Sequence, residues 1–229
     1  MAVTLGFDVY GTLIDTHGVV TSLQILIGAK AQDFSQTWRD KQLEYSFRRG
    51  LMQNYVNFAS CTRHALDYTC AYYRVDLSSK QRDSLLELYS VLPAFGDVKE
   101  ALLQLKSSEF RLFAFSNGSA DALEELLTSA GIRDCFLGVV SVDDLKSFKP
   151  NPGVYSHFLR KAGATGQSSW LISSNPFDVI GAISAGMKSA WVQRSAEAIF
   201  DPWEIKPTLI VNRLTELSQQ ITEWEASQS

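Results

Sequence analysis

A carboxylate, a glycine and a hydroxyl stand within five residues of one another at Asp8, Gly11 and Thr12, in the stretch Gly6-Phe7-Asp8-Val9-Tyr10-Gly11-Thr12-Leu13. They follow the apolar run Val3-Thr4-Leu5-Gly6-Phe7, which reads as a short buried strand. Open α/β sheets bind ligands at the carboxyl ends of their strands. A carboxylate there is a candidate reacting group, and Gly11 permits a tight turn that a Cβ would resist. The plainer reading is that Asp8 only caps the turn.

Three later strand tips bear on that choice. The strand Arg111-Leu-Phe-Ala-Phe115 ends at Ser116-Asn117-Gly118. Lys149-Pro150 follows a short strand at 137–140. The strand Trp170-Leu-Ile172 ends at Ser173-Ser174-Asn175, with Asp178 just beyond. Singly, these are helix caps, a loop lysine and a first-turn aspartate complementing a helix dipole. Together at one sheet edge they make a coherent chemistry. Asp8 can attack as a nucleophile and form an ester. Lys149 can keep it ionised. Ser116 and neighbouring backbone N–H groups can hold a substrate carboxylate. Asp178 can activate the water that hydrolyses the ester.

The elements that must position these groups change character twice. Residues 1–13 are strand and loop, about 16 to 92 read as successive helices, and from about 97 strands alternate with helices. The helical stretch divides into His17–Gly28, a helix capped by Ser35 with Trp38, Leu43, Phe47 and Leu51 as apolar positions, Asn54–Tyr73 after a break near Gly50 and Met52-Gln53, and Ser79–Val91 ended by Pro93. Short loops between consecutive helices favour an antiparallel bundle. In the second half Ser119 can cap a helix to Ala130, Asn151-Pro152 opens another, and Asn212 can cap the last. The alternation predicts an α/β class, a parallel sheet covered on both faces. The first strand then belongs with the later ones. The expected division is a Rossmann-like core of residues 1–14 and 95–229 and an inserted helical cap of 15–94, with the site beneath the cap.

The bulk properties leave room for this. The chain has 229 residues, 45% hydrophobic and 20% charged, with net charge −4. That length can bury a sizeable core. Clustered Lys and Arg of a nucleic-acid footprint are missing. No run approaches the roughly 18 apolar residues of a membrane span, and the amino terminus lacks a signal-peptide pattern. Cys61, Cys70 and Cys135 make neither a C-x-x-C pair nor a metal spacing. They fit packed, reduced thiols, and the expected setting is cytoplasmic.

Asp8-Val9-Tyr10-Gly11-Thr12, Ser116-Asn117-Gly118, Lys149-Pro150 and Ser173-Ser174-Asn175-Pro176-Phe177-Asp178 resemble the four ordered motifs of the haloacid dehalogenase superfamily. Trp38-Arg39-Asp40-Lys41-Gln42-Leu43-Glu44-Tyr45 and Tyr55-Val56-Asn57-Phe58 resemble the L-2-haloacid dehalogenases in particular, and the resemblance runs from Phe7 to about Trp191. It implies hydrolytic dehalogenation of short 2-haloalkanoic acids with inversion at C2, no metal or organic cofactor, and usually a homodimer. By the same resemblance Asp8 is the nucleophile and Thr12 supports it. Arg39 and Asn117 cradle the leaving halide, while Ser116 and Lys149 bind or balance the substrate carboxylate and Asp8. Tyr155, Ser173, Asn175 and Asp178 complete the site and position or activate the water. Tyr10, Leu43 and Phe58 match the apolar lining beside Gly11, and Phe177 stands where relatives have Trp or Phe. A guanidinium fixed where halide charge develops stabilises the transition state more than the neutral carbon–halogen bond. On spacing alone, Arg39 would instead pair with Asp40 or Glu44. Asp40, where a relative has Gln, bears on the electrostatics of the halide pocket.

Two rivals follow. Phosphatases of the superfamily carry a second aspartate where this chain has Tyr10, a phenol with an ordinary pKa of about 10, and need Mg²⁺. The fold could also serve an inactive binding protein. His17, His64 and His157 lie in no motif and are expected at the surface or packing the cap. Tyr68, Tyr72 and Tyr73 are expected in helix packing.

Overall fold

The computed structural model describes residues 2–228. Its strands are β1 (Thr4–Phe7), β2 (Arg111–Ser116), β3 (Gly138–Ser141), β4 (Ser169–Ser173), β5 (Lys188–Val192) and β6 (Leu209–Val211). All pair in parallel, in the order β3-β2-β1-β4-β5-β6. β1 therefore lies inside the sheet, with Phe7 opposite Ala114 on one side and Ile172 on the other. The chain-order reversal beside β1 is where an open α/β sheet leaves a crevice. Every residue of β1 and β4 is buried, on both faces, as covered parallel strands require. Leu112 and Ala114 join one apolar cluster, and Phe113 and Phe115 the other.

The helices are α1 (Gly18–Ile27), α2 (Ala31–Leu51), α3 (Phe58–Tyr73), α4 (Ser79–Glu87), α5 (Val98–Ser107), α6 (Ala120–Ser129), α7 (Pro152–Ala162), α8 (Pro176–Ser184) and α9 (Leu217–Ser227). α1 to α4 stand between β1 and β2 in the chain. The two connecting segments touch where they cross: Asp15 N–H donates to Pro93 O at 2.8 Å, and Phe95 N–H to Leu13 O at 3.0 Å. The two passages of the backbone thus form one neck.

Three boundaries differ from those read in the sequence. α2 begins at Ala31 rather than after Ser35, because Ala31 and Phe34 in its first turn are buried. Its buried stripe is Ala31, Phe34, Trp38, Gln42 and Ser46, a helical spacing that ends in polar residues. Leu43 and Phe47 lie on the adjacent stripe, and Leu51 is exposed. α3 begins at Phe58, four residues after Asn54, because the Asn57 side chain accepts from Ser60 N–H and caps it. α9 begins at Leu217, so Asn212 is not its cap. Ser119 holds the N-cap position of α6, but its hydroxyl makes no capping bond. Asn151 and the Pro152 start of α7 form as expected, with Asn151 accepting from Gly153 N–H.

The three cysteines are free thiols, each pushed up by burial. His157 packs in the interior on α7, not in the helical insert. Tyr73 packs on Phe34, whereas Tyr68 and Tyr72 stack on each other at the surface. Among the described residues no helix is long and apolar enough to cross a membrane.

Candidate active site

Asp8 is the first residue beyond β1, and its N–H still bonds Ile172 O. The residue is 7% exposed, and its side chain receives three donors. Thr12 Oγ1 and Asn175 Nδ2 donate to Oδ2 at 2.9 and 2.8 Å. Lys149 Nζ donates to Oδ1 at 3.1 Å. Thr12 has its proton directed by its neighbours. Ser174 N–H donates to Thr12 Oγ1 at 2.9 Å, so the hydroxyl hydrogen is left for Asp8. The turn between them places Gly11 at φ +82°, a conformation suited to glycine.

Lys149 is 1% exposed and uses all three ammonium hydrogens: on Asp8, on Asp178 Oδ2 at 2.8 Å, and on Phe115 O at 2.9 Å. Its peptide bond to Pro150 is cis, and its N–H donates to Asn117 Oδ1 at 2.9 Å. With its oxygen so engaged, Asn117 presents its amide NH₂ to the site. Burial pushes the Lys149 ammonium down, but Asp178 and Asp8 outweigh it and hold it above the ordinary lysine value. Burial raises the Asp178 carboxyl, and Lys149 offsets only part of that. Tyr155 donates to Asp178 Oδ1 at 2.8 Å. Gly181 makes room for it: a Cβ there would lie 2.4 Å from the Tyr155 hydroxyl.

Above these groups α2 supplies Arg39 and Leu43, and the first turn of α3 supplies Phe58. Arg39 ignores both acidic neighbours. Its Nη1 donates to Gln42 Oε1 at 2.6 Å. Glu44 pairs with Lys41 and Arg48, and Asp40 faces outward and bonds Gln36. Gln42 is fully buried and donates in turn to Thr62 Oγ1, which donates to Phe58 O. Tyr10 packs against Phe58 and Tyr89, and burial first, with Tyr89 beside it, pushes its phenol up to about 12.

Asp8, Tyr10, Arg39, Leu43, Phe58, Ser116, Asn117, Lys149, Asn175 and Phe177 line one cavity of about 10 Å³, room for about one water. All were singled out in the sequence. Five others stand behind this lining. Thr12 reaches the site only through Asp8. Gly11 shapes the turn and is not a binding surface, its carbonyl accepting from Ser174 Oγ. Ser173 is fully buried and accepts from Asn175 N–H. Tyr155 is also fully buried and touches Asp178 rather than the cavity, which places it as a positioning residue. Asp178 sits beyond Lys149. Sequence reasoning missed Gln42, Thr62 and Arg194. The Arg194 guanidinium grips Asp97 and donates to Thr12 O, fixing the loop that carries the hydroxyl. Thr62 and Arg194 act through long-range contacts and stand in no motif, and Gln42 stands in the stretch around Arg39 without a chemistry of its own to mark it.

The model of a haloacid dehalogenase-like hydrolase family matches residues 4–186. The chain belongs to that family. It is 35% identical over 212 residues to an (S)-2-haloacid dehalogenase of Pseudomonas putida, covering 93% of each chain. It is 36% identical to haloacetate dehalogenase H-2 of Moraxella sp., over 83% of this chain and 85% of that one. Its fold matches the L-2-haloacid dehalogenase of Xanthobacter autotrophicus with chloropropionic acid covalently bound, at TM-score 0.89 and 30% identity, covering 97% of this chain and 99% of that one. This haloacid dehalogenase-like hydrolase thus combines a six-stranded α/β core with a lysine-bridged carboxylate pair.

Proposed function

We propose that the chain hydrolyses short L-2-haloalkanoic acids to D-2-hydroxy acids, with Asp8 as the nucleophile. The observation that carries this reading is a carboxylate beneath an arginine that no acidic group neutralises. Oδ1 accepts only from Lys149 and is the less encumbered oxygen. It displaces halide from C2 with inversion, forming an Asp8 ester. The departing halide gathers negative charge beside the Arg39 guanidinium and the Asn117 amide. Ser116 holds the substrate carboxylate. Tyr10, Leu43, Phe58 and Phe177 exclude water from the reacting carbon.

Ester formation neutralises Asp8 and loosens its bond with Lys149. A water entering there meets the Asp178 carboxylate, a stronger base for its raised pKa. Asp178 takes the water's proton and hydroxide oxygen adds to the Asp8 carbonyl carbon. The adduct then breaks its bond to the substrate oxygen, which takes the proton back from Asp178. The hydroxy acid leaves with the oxygen that Asp8 brought, while Asp8 sheds its acid proton to solvent. Asn175 and Thr12 hold the carboxylate throughout. Residues 1–14 and 95–229 act as the core and 15–94 as a cap that opens at the neck. Free thiols suit a reducing cytoplasm, and the exposed Tyr68 and Tyr72 suit a homodimer contact.

Asp8→Asn is expected to abolish halide release from L-2-chloropropionate. A single turnover in ¹⁸O-water should put label into Asp8 before product. Label going straight into product would mean that water attacks the substrate.

Phosphate-ester hydrolysis is disfavoured by the residues themselves. Tyr10 at about 12 is no acid–base group near neutrality. Lys149 fills the space between Asp8 and Asp178. Among the described residues no three His, Cys, Asp or Glu side chains group as a metal site. p-Nitrophenyl phosphate should therefore be left intact.

A further inference from the structure

The catalytic cavity is tight, with room for about one water, and it shares part of its wall with a larger space. Phe177 and Lys149 line it on one side and line a second cavity, of about 450 Å³, on the other. That second space is bounded by Phe47, Gly50, Leu51, Phe148, Pro150, Pro152 and Trp203, with Asn151 as its one uncharged polar residue. The rest are hydrocarbon and aromatic surfaces, and the lysine contributes its stem, its ammonium being committed to Asp8, Asp178 and Phe115. Phe177 is only half-buried, and its ring meets Phe47 edge-on at 5.0 Å. It stands in the first turn of α8, and Phe47 on the α2 stripe that also carries Leu43.

A third cavity, of about 340 Å³, adjoins the site past Tyr10 and Phe58. It differs in chemistry. Asn57, Ser60, Arg63 and Ser90 open onto it, so an alkyl chain placed there would strip water from polar groups. Hydrocarbon is favoured in the predominantly apolar space behind Phe177 instead.

We infer that the cavity behind Phe177 is a subsite for the alkyl tail of 2-haloacids longer than propionate, with the Phe177 ring as its gate. This rests on the dehalogenase reading and extends it to substrate range. The carboxylate, halide and C2 stay in the catalytic cavity, and carbons from C4 onward pass between Phe177 and Lys149. L-2-Bromohexanoate should accordingly be a substrate.

Gly50 gives the cleanest test. It lines the tail cavity but not the catalytic one. A Cβ there meets Phe148 at 3.8 Å, an ordinary contact. Gly50→Leu therefore fits on α2 and sends its branch into the tail space. The panel is chloroacetate, L-2-chloropropionate and L-2-bromohexanoate, with kcat/KM measured for wild type and G50L. Wild type should turn over all three. G50L should keep the two short acids within about twofold and lose at least about tenfold on the hexanoate. Ala122→Phe, which fills the polar cavity past Tyr10, should leave the hexanoate rate unchanged. The inference is overturned if wild type rejects the hexanoate while processing chloropropionate, if G50L spares the hexanoate, or if A122F alone removes it. G50L that loses all three substrates overturns the claim that Gly50 faces only the tail, and Leu51→Lys at the mouth must then show the selective loss. Failure of wild type on chloropropionate itself would instead overturn the dehalogenase reading.

Discussion

Gln42 is the residue whose part was least visible before the structure. An arginine that stabilises a departing anion needs a fixed position but an unspent charge. A neutral acceptor provides both, where Asp or Glu would cancel the charge. Gln42→Met removes the acceptor at similar volume. It should lower kcat by about ten- to a hundredfold with little change in KM, since the interaction matters most in the transition state. Thr62→Val, which frees the other end of Gln42, should act in the same direction and more weakly. The double variant Arg39→Ala/Gln42→Met should be no slower than Arg39→Ala alone, and steady-state halide release checks the cycle. Additive losses would show that Gln42 acts elsewhere.

The buried pair fixes the pH dependence at the same scale. In the proposed reaction Asp178 works as a carboxylate, and its pKa is raised from 3.8, so hydrolysis is expected to fail as pH falls through a value above that. Lys149 works as an ammonium and is held above 10.5, so its contribution is lost only as pH rises beyond that. A kcat profile should show an acid limb above the ordinary aspartate range and no alkaline limb from Lys149 below 10.5. The lining residues were legible because they lie at strand tips or in ordered motifs. Thr62 and Arg194 were not, because their partners lie 20 or more residues away. Gln42 was not, because three residues from Arg39 it competes with nearby charged partners and only the fold shows which one Arg39 takes.

Helix starts set where the lining falls. Asn57 fixes the first turn of α3 and so the position of Phe58. Asn57→Ala should cost about 1 kcal/mol, read as a lower urea midpoint at unchanged slope. It should also raise KM by displacing Phe58 from the cavity. Capping explains which boundaries could be read. Asn151 was legible because a short polar side chain precedes a helical run opened by proline, and it bonds as a cap; Ser78, which caps α4, was passed over. Ser35 misled for the same reason. The first turn of α2 is set by burial of Ala31 and Phe34, which outweighs a local cap and leaves Ser35 inside the helix.

At the scale of the whole molecule, the sheet order was the most legible feature. Strand–helix alternation after residue 97 calls for a parallel sheet, and an apolar first strand with an aspartate at its tip has no other place to go. The assembly was less legible, because exposure cannot be read from composition. Tyr72 is 64% exposed and stacked on Tyr68, with Lys41 lying 4.5 Å over the Tyr68 ring. If α2 and α3 meet a second copy there, sedimentation should show a dimer, and Tyr72→Glu should dissociate it while leaving turnover on L-2-chloropropionate within about threefold.

The interior position of β1 has a consequence in time. The ribosome delivers Asp8 before either neighbour of its strand: β1 gains its partner β2 only after residue 111 and β4 only after residue 169. At about 5 to 20 residues per second, the earliest part of the centre waits on the order of ten to thirty seconds for its last neighbours. During that interval the helices between β1 and β2 are already out of the exit tunnel and able to coil, while the strand they follow has nothing to pair with. The proposed nucleophile is thus made well before the strands that position it, so that a nascent chain has no assembled carboxylate site until β4 has been added.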